Sequence, residues 1–182
     1  MSLFVEVGTS DFDTCEKLIA NGWSGVCIEP VEYYFKKLPK YPNIHYENIA
    51  ISDKKGDSEI HYYDPEKILK TEDKWLKGVG SLEGKTGPLS LEVNEKLFEN
   101  NIIKQPVKTD TLTNICDKYQ ITKIDFLKID TEGHDIKVLE SLDLDKVYVK
   151  MIKIEHTHVD AQPIIDHLKN NNYLVYLEQN DI

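Results

Sequence analysis

The chain has 182 residues, of which 40% are hydrophobic and 30% are charged, a composition typical of one globular domain with a sizeable core. Its formal net charge of -10 makes the surface acidic, so neither a nucleic-acid partner nor a membrane partner is expected. No apolar run approaches the roughly 20 residues that a bilayer-spanning helix needs.

The cysteine pattern and the first residues of the chain indicate a reducing compartment. Cys15, Cys27 and Cys116 are far apart, form no CxxC pair and stand among apolar residues, as small core side chains do. The chain opens with a strand-like apolar run instead of a basic and then apolar leader. We therefore expect a cytoplasmic protein.

Two strand-turn-helix units are predicted in succession at the start of the chain. The apolar run Leu3–Val7 ends at Gly8, and apolar residues at helical spacing follow it. A second buried strand at 26–28 ends at Glu29, and Pro30 suits the first position of the next helix. Repetition of this unit is typical of α/β folds.

The middle of the chain is less regular. Residues 44–51 predict a third strand, and the turn at 54–57 predicts a hairpin that extends the sheet edge through residues 60–62. Over 64–106 the pattern weakens, with one helix expected near 91–98. A stretch this long in a compact domain is usually functional or mobile, so we expect a lid or a substrate-recognition insert.

Regular patterns return after the insert. Thr109 and Asp110 are expected to cap a helix, and Asp160 to cap a later one. Three further strands are predicted, at 124–129, 147–154 and 173–177. Strands that alternate with helices imply a doubly wound α/β fold with a mostly parallel sheet, and ligands of such sheets bind beyond the carboxyl ends of the strands.

A glycine turn followed by an acid is the first candidate for a binding site. Glu29 stands 21 positions after Gly8, at the end of the second strand, where a carboxylate can accept both hydroxyls of a ribose. A GxGxxG fingerprint is absent, because Ser10 and Asp13 stand where its later glycines belong. Taken alone, the same pattern equally fits a tight turn with a surface glutamate.

The second candidate follows the strand at 124–129. Asp130, Glu132 and His134 stand at its carboxyl end, which lies beside Gly8 if the strand order is 3-2-1-4-5. The run from 128 to 134, Lys-Ile-Asp-Thr-Glu-Gly-His, resembles the hallmark of the FkbM family of methyltransferases. The resemblance also covers residues 5–10, 29–30, 48–52, 81–82, 109–112 and 154–155.

The resemblance implies a Rossmann-like class I methyltransferase fold, with residues 1–182 as a single domain that binds S-adenosyl-L-methionine. By that likeness Glu6, Gly8 and Ser10 would contact the methionine part and Glu29 the ribose. Asn48 and Ala50 would lie on the adenine side. The residues expected to bind the donor are Glu6, Gly8, Thr9, Ser10, Glu29, Pro30, Asn48, Ala50 and Asp130.

Methyl transfer to a hydroxyl needs an aligned acceptor and a group that takes one proton. Asp130, Glu132 and His134 are the candidates for catalysis, and we expect either His134 or Asp130 to be the base. The alternative for Glu132 and His134 is structural, because an acid near a helix N-terminus is favoured by the helix dipole.

A metal site is not expected. His156 and His158 would lie on one side of a strand and could bind a metal with Glu155 or Asp130. An HxH pair is weak support, because no third histidine is fixed by its spacing. Polar residues are also expected at the mouth of a strand in any α/β fold.

Two features depart from the family pattern. Phe12 stands where many relatives have a second glycine, and the chain stops at 180–182, where a final antiparallel strand would normally begin. That strand could be truncated, and an exposed edge would then invite a partner chain, so a homodimer is an expectation.

The leading interpretation is methylation of a hydroxyl, or less readily of a nitrogen, on a small molecule or a glycan. A nucleotide-binding oxidoreductase of Rossmann type and a methyltransferase-like domain that binds without catalysing are the alternatives.

Overall fold

The computed structural model of the protein describes residues 2–10, 15–70, 72, 76–83, 101–157, 159–179 and 181–182. Phe12, His158 and the helix expected near 91–98 lie outside the described residues.

The described part of the chain alternates strands and helices. In chain order the strands are β1 (Leu3–Val7), β2 (Ser24–Ile28), β3 (Ile44–Glu47), β4 (Ala50–Ile51), β5 (Gly56–Tyr63), β6 (Gly80–Ser81), β7 (Ile102–Asp110), β8 (Lys123–Ile124), β9 (Phe126–Ile129), β10 (Tyr148–Val149) and β11 (Ile152–Ile154). The helices are α1 (Glu16–Ala20), α2 (Glu32–Phe35), α3 (Pro65–Ile68), α4 (Leu112–Lys118), α5 (Asp135–Glu140) and α6 (Ala161–Asn170). Of the described helices, none combines the length and the apolar character that crossing a membrane requires.

Five parallel strands form the main sheet, in the order β11-β9-β1-β2-β3. Val5 of β1 pairs with Val26 of β2 on one side and with Leu127 of β9 on the other. This arrangement confirms the predicted doubly wound α/β fold and its strand order. The order reverses between β1 and β9, so the crevice expected to hold a ligand lies beyond the ends of these two strands.

Helices cover both faces of the main sheet, because its strands are apolar on both sides. Val5 and Val26 are fully buried in a large cluster that includes residues of α4, α5 and α6. Phe4 and Cys27, which point to the other face, are fully buried in a smaller cluster with Ile19 of α1. The main sheet is therefore the rigid support of the residues at its carboxyl edge.

A second sheet, in the order β4-β7-β5-β6, lies beside α2. The predicted hairpin at the edge of the main sheet was therefore wrong. β5 pairs antiparallel with β7 over eight positions and makes no ladder with β4. Ile60, Tyr62 and Val107 share an apolar cluster with Tyr34 of α2, so burying this face favours the pairing of β5 with β7.

The predicted third strand over 44–51 divides into β3 and β4, which belong to different sheets. The chain leaves the main sheet at Asn48, whose amide donates to the carbonyl oxygens of Glu29 at 2.8 Å and Pro30 at 3.1 Å. The strands expected at 124–129 and 147–154 also divide, each into a short outer strand and a strand of the main sheet.

Two predicted helix starts were wrong. Pro30 precedes α2, whose N-cap is Val31. The carbonyl oxygen of Pro30 accepts hydrogen bonds from the side-chain amides of Asn48 and Gln105. Thr109 and Asp110 end β7, whereas Thr111 caps α4 by accepting from the backbone of Asn114. Asp160 does cap α6, as expected.

The structure assigns no strand at 173–177, contrary to the prediction. The chain instead returns to the main sheet at its last residues, where Asp181 bridges antiparallel to Glu155. Ile154 and Ile182 exchange two backbone hydrogen bonds, of 2.9 Å and 2.8 Å. The insert is also more regular than expected, because its described parts contain α3, β6 and the first half of β7.

Candidate active site

A cleft opens where β1, β2, β4 and β9 end, with a volume of about 830 Å³ including its mouth. The cleft brings together seven of the predicted site residues in addition to Pro30, namely Gly8, Ser10, Glu29, Ala50, Asp130, Glu132 and His134. Glu6, Thr9 and Asn48 are not among the residues that line the cleft: Glu6 and Thr9 are buried beside it, whereas Asn48 is exposed.

Gly8 makes the turn that joins β1 to the cleft. It has a φ of +84°, and a Cβ atom at this position would lie 1.8 Å from the carbonyl oxygen of Asp130. The backbone amides of Gly8 and Thr9 both donate to the carbonyl oxygen of Ile28, at 3.0 Å and 3.2 Å. Only glycine fits a turn that combines this φ with such close approach of a second chain segment.

Glu29 joins the first two turns at the carboxyl edge. Its carboxylate accepts from the backbone amide of Ser10 at 2.6 Å and from that of Val31 at 2.7 Å. The residue is only 4% exposed, yet it lines the cleft. Because each carboxylate oxygen accepts from a backbone amide, these two bonds fix the orientation of the group at the cleft.

Ser10 has a polar atom that no described group satisfies. Its Oγ is buried without a hydrogen-bond partner among the described residues, and Ser10 itself is 5% exposed with a φ of +56°. A buried hydroxyl without a partner costs free energy, so its position on the wall of a cleft favours a polar ligand there.

Three charged groups form a chain from the floor of the main sheet to the cleft. The Nζ atom of Lys128 lies 3.5 Å from Glu6 and 3.0 Å from Asp130. Burial alone would lower the pKa of Lys128, but the charges of Asp130 and Glu6 raise it above its ordinary value. Glu6 is fully buried, and its carboxylate helps to hold the Lys128 ammonium beside Asp130.

Asp130, Glu132 and Glu155 form an acidic cluster, with one oxygen from each lying within 4.8 Å of the others. Burial and the charges of Glu155 and Asp130 raise the pKa of Glu132 to about 9. Burial and the charge of Asp130 raise the pKa of Glu155 to about 7. At neutral pH the cluster therefore retains protons, which lowers the repulsion among its members.

Glu155 was not expected among the catalytic residues and was considered only as a possible ligand of a metal site that was not expected. The structure places it there because β11 lies next to β9, and the amide of Glu155 donates to the carbonyl oxygen of Ile129 at 3.1 Å. Among the described residues, this acidic cluster is the one group with a spacing that could hold a metal ion. His156 is outside it, with Nε2 3.3 Å from the carbonyl oxygen of Glu178.

His134 lines the cleft with both ring nitrogens engaged. Nε2 lies 3.0 Å from Oγ of Ser52, and Nδ1 lies 2.7 Å from a carboxylate oxygen of Glu83. The preceding turn is held by Asp135, which accepts from the amides of Thr131 at 2.8 Å and Gly133 at 3.0 Å. Asp135, rather than His134, is therefore the residue that fixes this turn.

A described segment in the middle of the insert forms one side of the cleft. We call residues 76–83 the insert wall; Lys77, Gly78, Val79, Gly80 and Leu82 line the cleft. The amide of Gly78 donates to the hydroxyl of Tyr34 at 2.9 Å. Ser52 and Glu83 could not be recognised as site residues from the sequence, because their partner His134 is distant along the chain.

The match to known proteins agrees with this geometry. Residues 6–175 match the family model described as the methyltransferase FkbM domain. No curated protein and no solved structure matches the chain. Because the match spans nearly the whole chain and the cleft joins Gly8, Glu29 and Asp130, the protein is a methyltransferase that belongs to the FkbM family.

Proposed function

We propose that the protein transfers a methyl group from S-adenosyl-L-methionine to a hydroxyl of a small molecule or a glycan in the cytoplasm. The proposal depends on one observation, which is that Glu29 and Asp130 open onto the same cleft. Membership of the FkbM family supports the reaction class.

The residues of the cleft suit an adenosyl donor. Ser10 offers a buried hydroxyl to the carboxylate of the methionine part, and Glu29 offers acceptors to the ribose hydroxyls. The apolar side chains of Ile49, Ala50 and Ile60 line the same cleft and would cover a purine ring. A donor in this position would give a hydrogen-bond partner to a hydroxyl that has none among the described residues.

When bound, the donor supplies a methyl group on a cationic sulfonium. The acidic cluster places carboxyl oxygens of Asp130 and Glu132 at the cleft, where they can interact with a sulfonium. We assign the role of base to Asp130, because its carboxylate is about one-third exposed (32%) and lines the cleft. His134 is the less suitable base, since both of its ring nitrogens are already hydrogen-bonded.

Calorimetry with S-adenosyl-L-methionine and with its demethylated product tests the donor. Both should bind, and the absence of binding by either would contradict the proposed function. Turnover should then be followed as release of the demethylated product in the presence of a panel of sugars and polyols.

Matched variants separate the two base candidates. Asp130→Asn should lower turnover by about 10²–10⁴-fold, the usual contribution of a positioned base. His134→Ala should lower it less. If Asp130→Asn retained full turnover, the assignment of the base would be wrong even where donor binding held.

A further inference from the structure

His134 connects three separate parts of the cleft. It belongs to the turn after β9, its Nε2 contacts Ser52 directly after β4, and its Nδ1 contacts Glu83 at the end of the insert wall. Residues 49–51, the turn at 130–134 and the insert wall each line the cleft. The two hydrogen bonds of one imidazole ring therefore span all three sides.

Glu83 provides the contact between the insert wall and His134. Its carboxylate contacts His134 Nδ1 at 2.7 Å and Lys137 Nζ at 2.8 Å. Burial alone would raise the pKa of Glu83, but the hydrogen bonds from Lys137 and His134 hold it below its ordinary value. The ionised carboxylate joins the insert wall to α5 at two points.

The spacing of Ser52, His134 and Glu83 is also that of a serine nucleophile with its base and orienting acid. Access decides against that role. Ser52 is 8% exposed and does not line the cleft. Its backbone amide donates to the carbonyl oxygen of Asp110 at 2.9 Å, so it offers nothing to a tetrahedral oxyanion. The line of hydrogen bonds serves to position the ring.

We propose that Glu83 is a positioning residue for donor binding: through His134 and Lys137 it holds the insert wall closed against the cleft. This inference rests on the proposed function, because it concerns the affinity of the same cleft for S-adenosyl-L-methionine. The wall is also held before Glu83, because β6 pairs with β5 and the amide of Gly78 donates to the hydroxyl of Tyr34. Glu83 holds the end of the wall that follows β6.

Donor affinity follows from this arrangement. Gly78, Val79 and Leu82 cover the cleft only while the wall is in place. If the wall is closed in only a fraction of the molecules, the apparent dissociation constant of the donor equals that of the closed form divided by this fraction. The loss should appear as a higher KM for the donor, with kcat at saturating donor unchanged within about twofold.

The main test is calorimetry of S-adenosyl-L-methionine binding to the full chain and to Glu83→Gln, a nearly isosteric change at a partly exposed site. We expect a dissociation constant about 10-fold higher, as the loss of a hydrogen bond to a charged partner implies. Glu66→Gln, an exposed acid of α3 in the same insert, is the matched control and should bind as the wild type does.

Lys137→Met provides an independent variant. Alone it should weaken donor binding less than Glu83→Gln, and the double variant should lose less than the two single losses combined. Hydrogen exchange of residues 77–82 should also be faster in Glu83→Gln, while the midpoint of urea unfolding changes little.

The outcomes are distinguishable. If the wild type binds the donor and Glu83→Gln binds equally well, the positioning role is wrong and the methyltransferase function stands. If the wild type does not bind the donor, the proposed function fails and the positioning role fails with it.

Discussion

The carbonyl oxygen of Asp130 lies 1.8 Å from the place that a Cβ atom on Gly8 would occupy. Glycine is thus required at position 8, because the carbonyl oxygen of Asp130, directly after β9, leaves no room for a side chain. The amide of Asp130 also donates to the carbonyl oxygen of Val7 at 3.0 Å, so the two turns are in direct contact. This contact joins the proposed donor-binding half of the cleft to its proposed catalytic half.

Gly8→Ala should therefore destabilise the protein by about 3 kcal/mol or more, because it combines a strained φ with a backbone collision. Gly22→Ala is the matched control. Gly22 has a similar φ of +81° but nothing within 4 Å of its added Cβ atom, so it should cost only about 1 kcal/mol. Urea denaturation measures both, and equal losses would show that the contact with Asp130 is unimportant.

Ser10→Ala should separate stability from binding. Removing a buried hydroxyl that has no described partner should leave the free energy of unfolding unchanged or slightly higher. Donor binding should weaken about 10-fold, because a charged group of the ligand would lose its hydrogen bond to the Ser10 hydroxyl. Calorimetry and urea denaturation on the same preparation give both numbers, and undiminished affinity would remove Ser10 from the donor site.

Glu29→Gln should weaken donor binding by about 10-fold or more, because the amide cannot accept from both backbone donors and from the ribose. Glu47→Gln is the control, since Glu47 is also a buried acid at a strand end but pairs with Lys118 and Tyr119 away from the cleft. It should lower stability while the dissociation constant of the donor stays the same. Equal losses of affinity in both variants would contradict a specific role for Glu29.

Much of the main sheet was predictable because strands such as β2 and β9 contain short apolar runs that end at an acid, Glu29 or Asp130. Glu29 and Asp130 were expected in one crevice since parallel strands that alternate with helices must place their carboxyl ends together. That reasoning needs only local periodicity and the right-handed connection. The structure has both residues lining the same cleft.

The second sheet and the partners of His134 could not be predicted from local sequence patterns. β5 pairs with β7 across the insert, where polar residues alternate with few apolar ones. Ser52 and Glu83 contact His134 from 82 and 51 positions away. No periodicity encodes such contacts, because they arise from packing of the insert against the main sheet.

The titration of Glu132 provides the last prediction. Burial and nearby acids raise its pKa from 4.5 in an unfolded chain to about 9. Between these two pH values the folded state keeps a proton that the unfolded state has released, so the stability of the wild type falls as pH rises. The slope from one such group is up to about 1.4 kcal/mol per pH unit.

Glutamine cannot titrate and resembles the protonated acid, so Glu132→Gln should come close to the wild type near pH 4 and become progressively more stable than it towards pH 8. Glu140→Gln, an exposed acid on α5, should show no such divergence. Urea denaturation at four or more pH values measures the difference between each variant and the wild type, which cancels the titration of other groups. A difference for Glu132→Gln that stays constant with pH would mean that this carboxyl is ionised in the folded protein, and the acidic cluster would then carry more negative charge towards the donor.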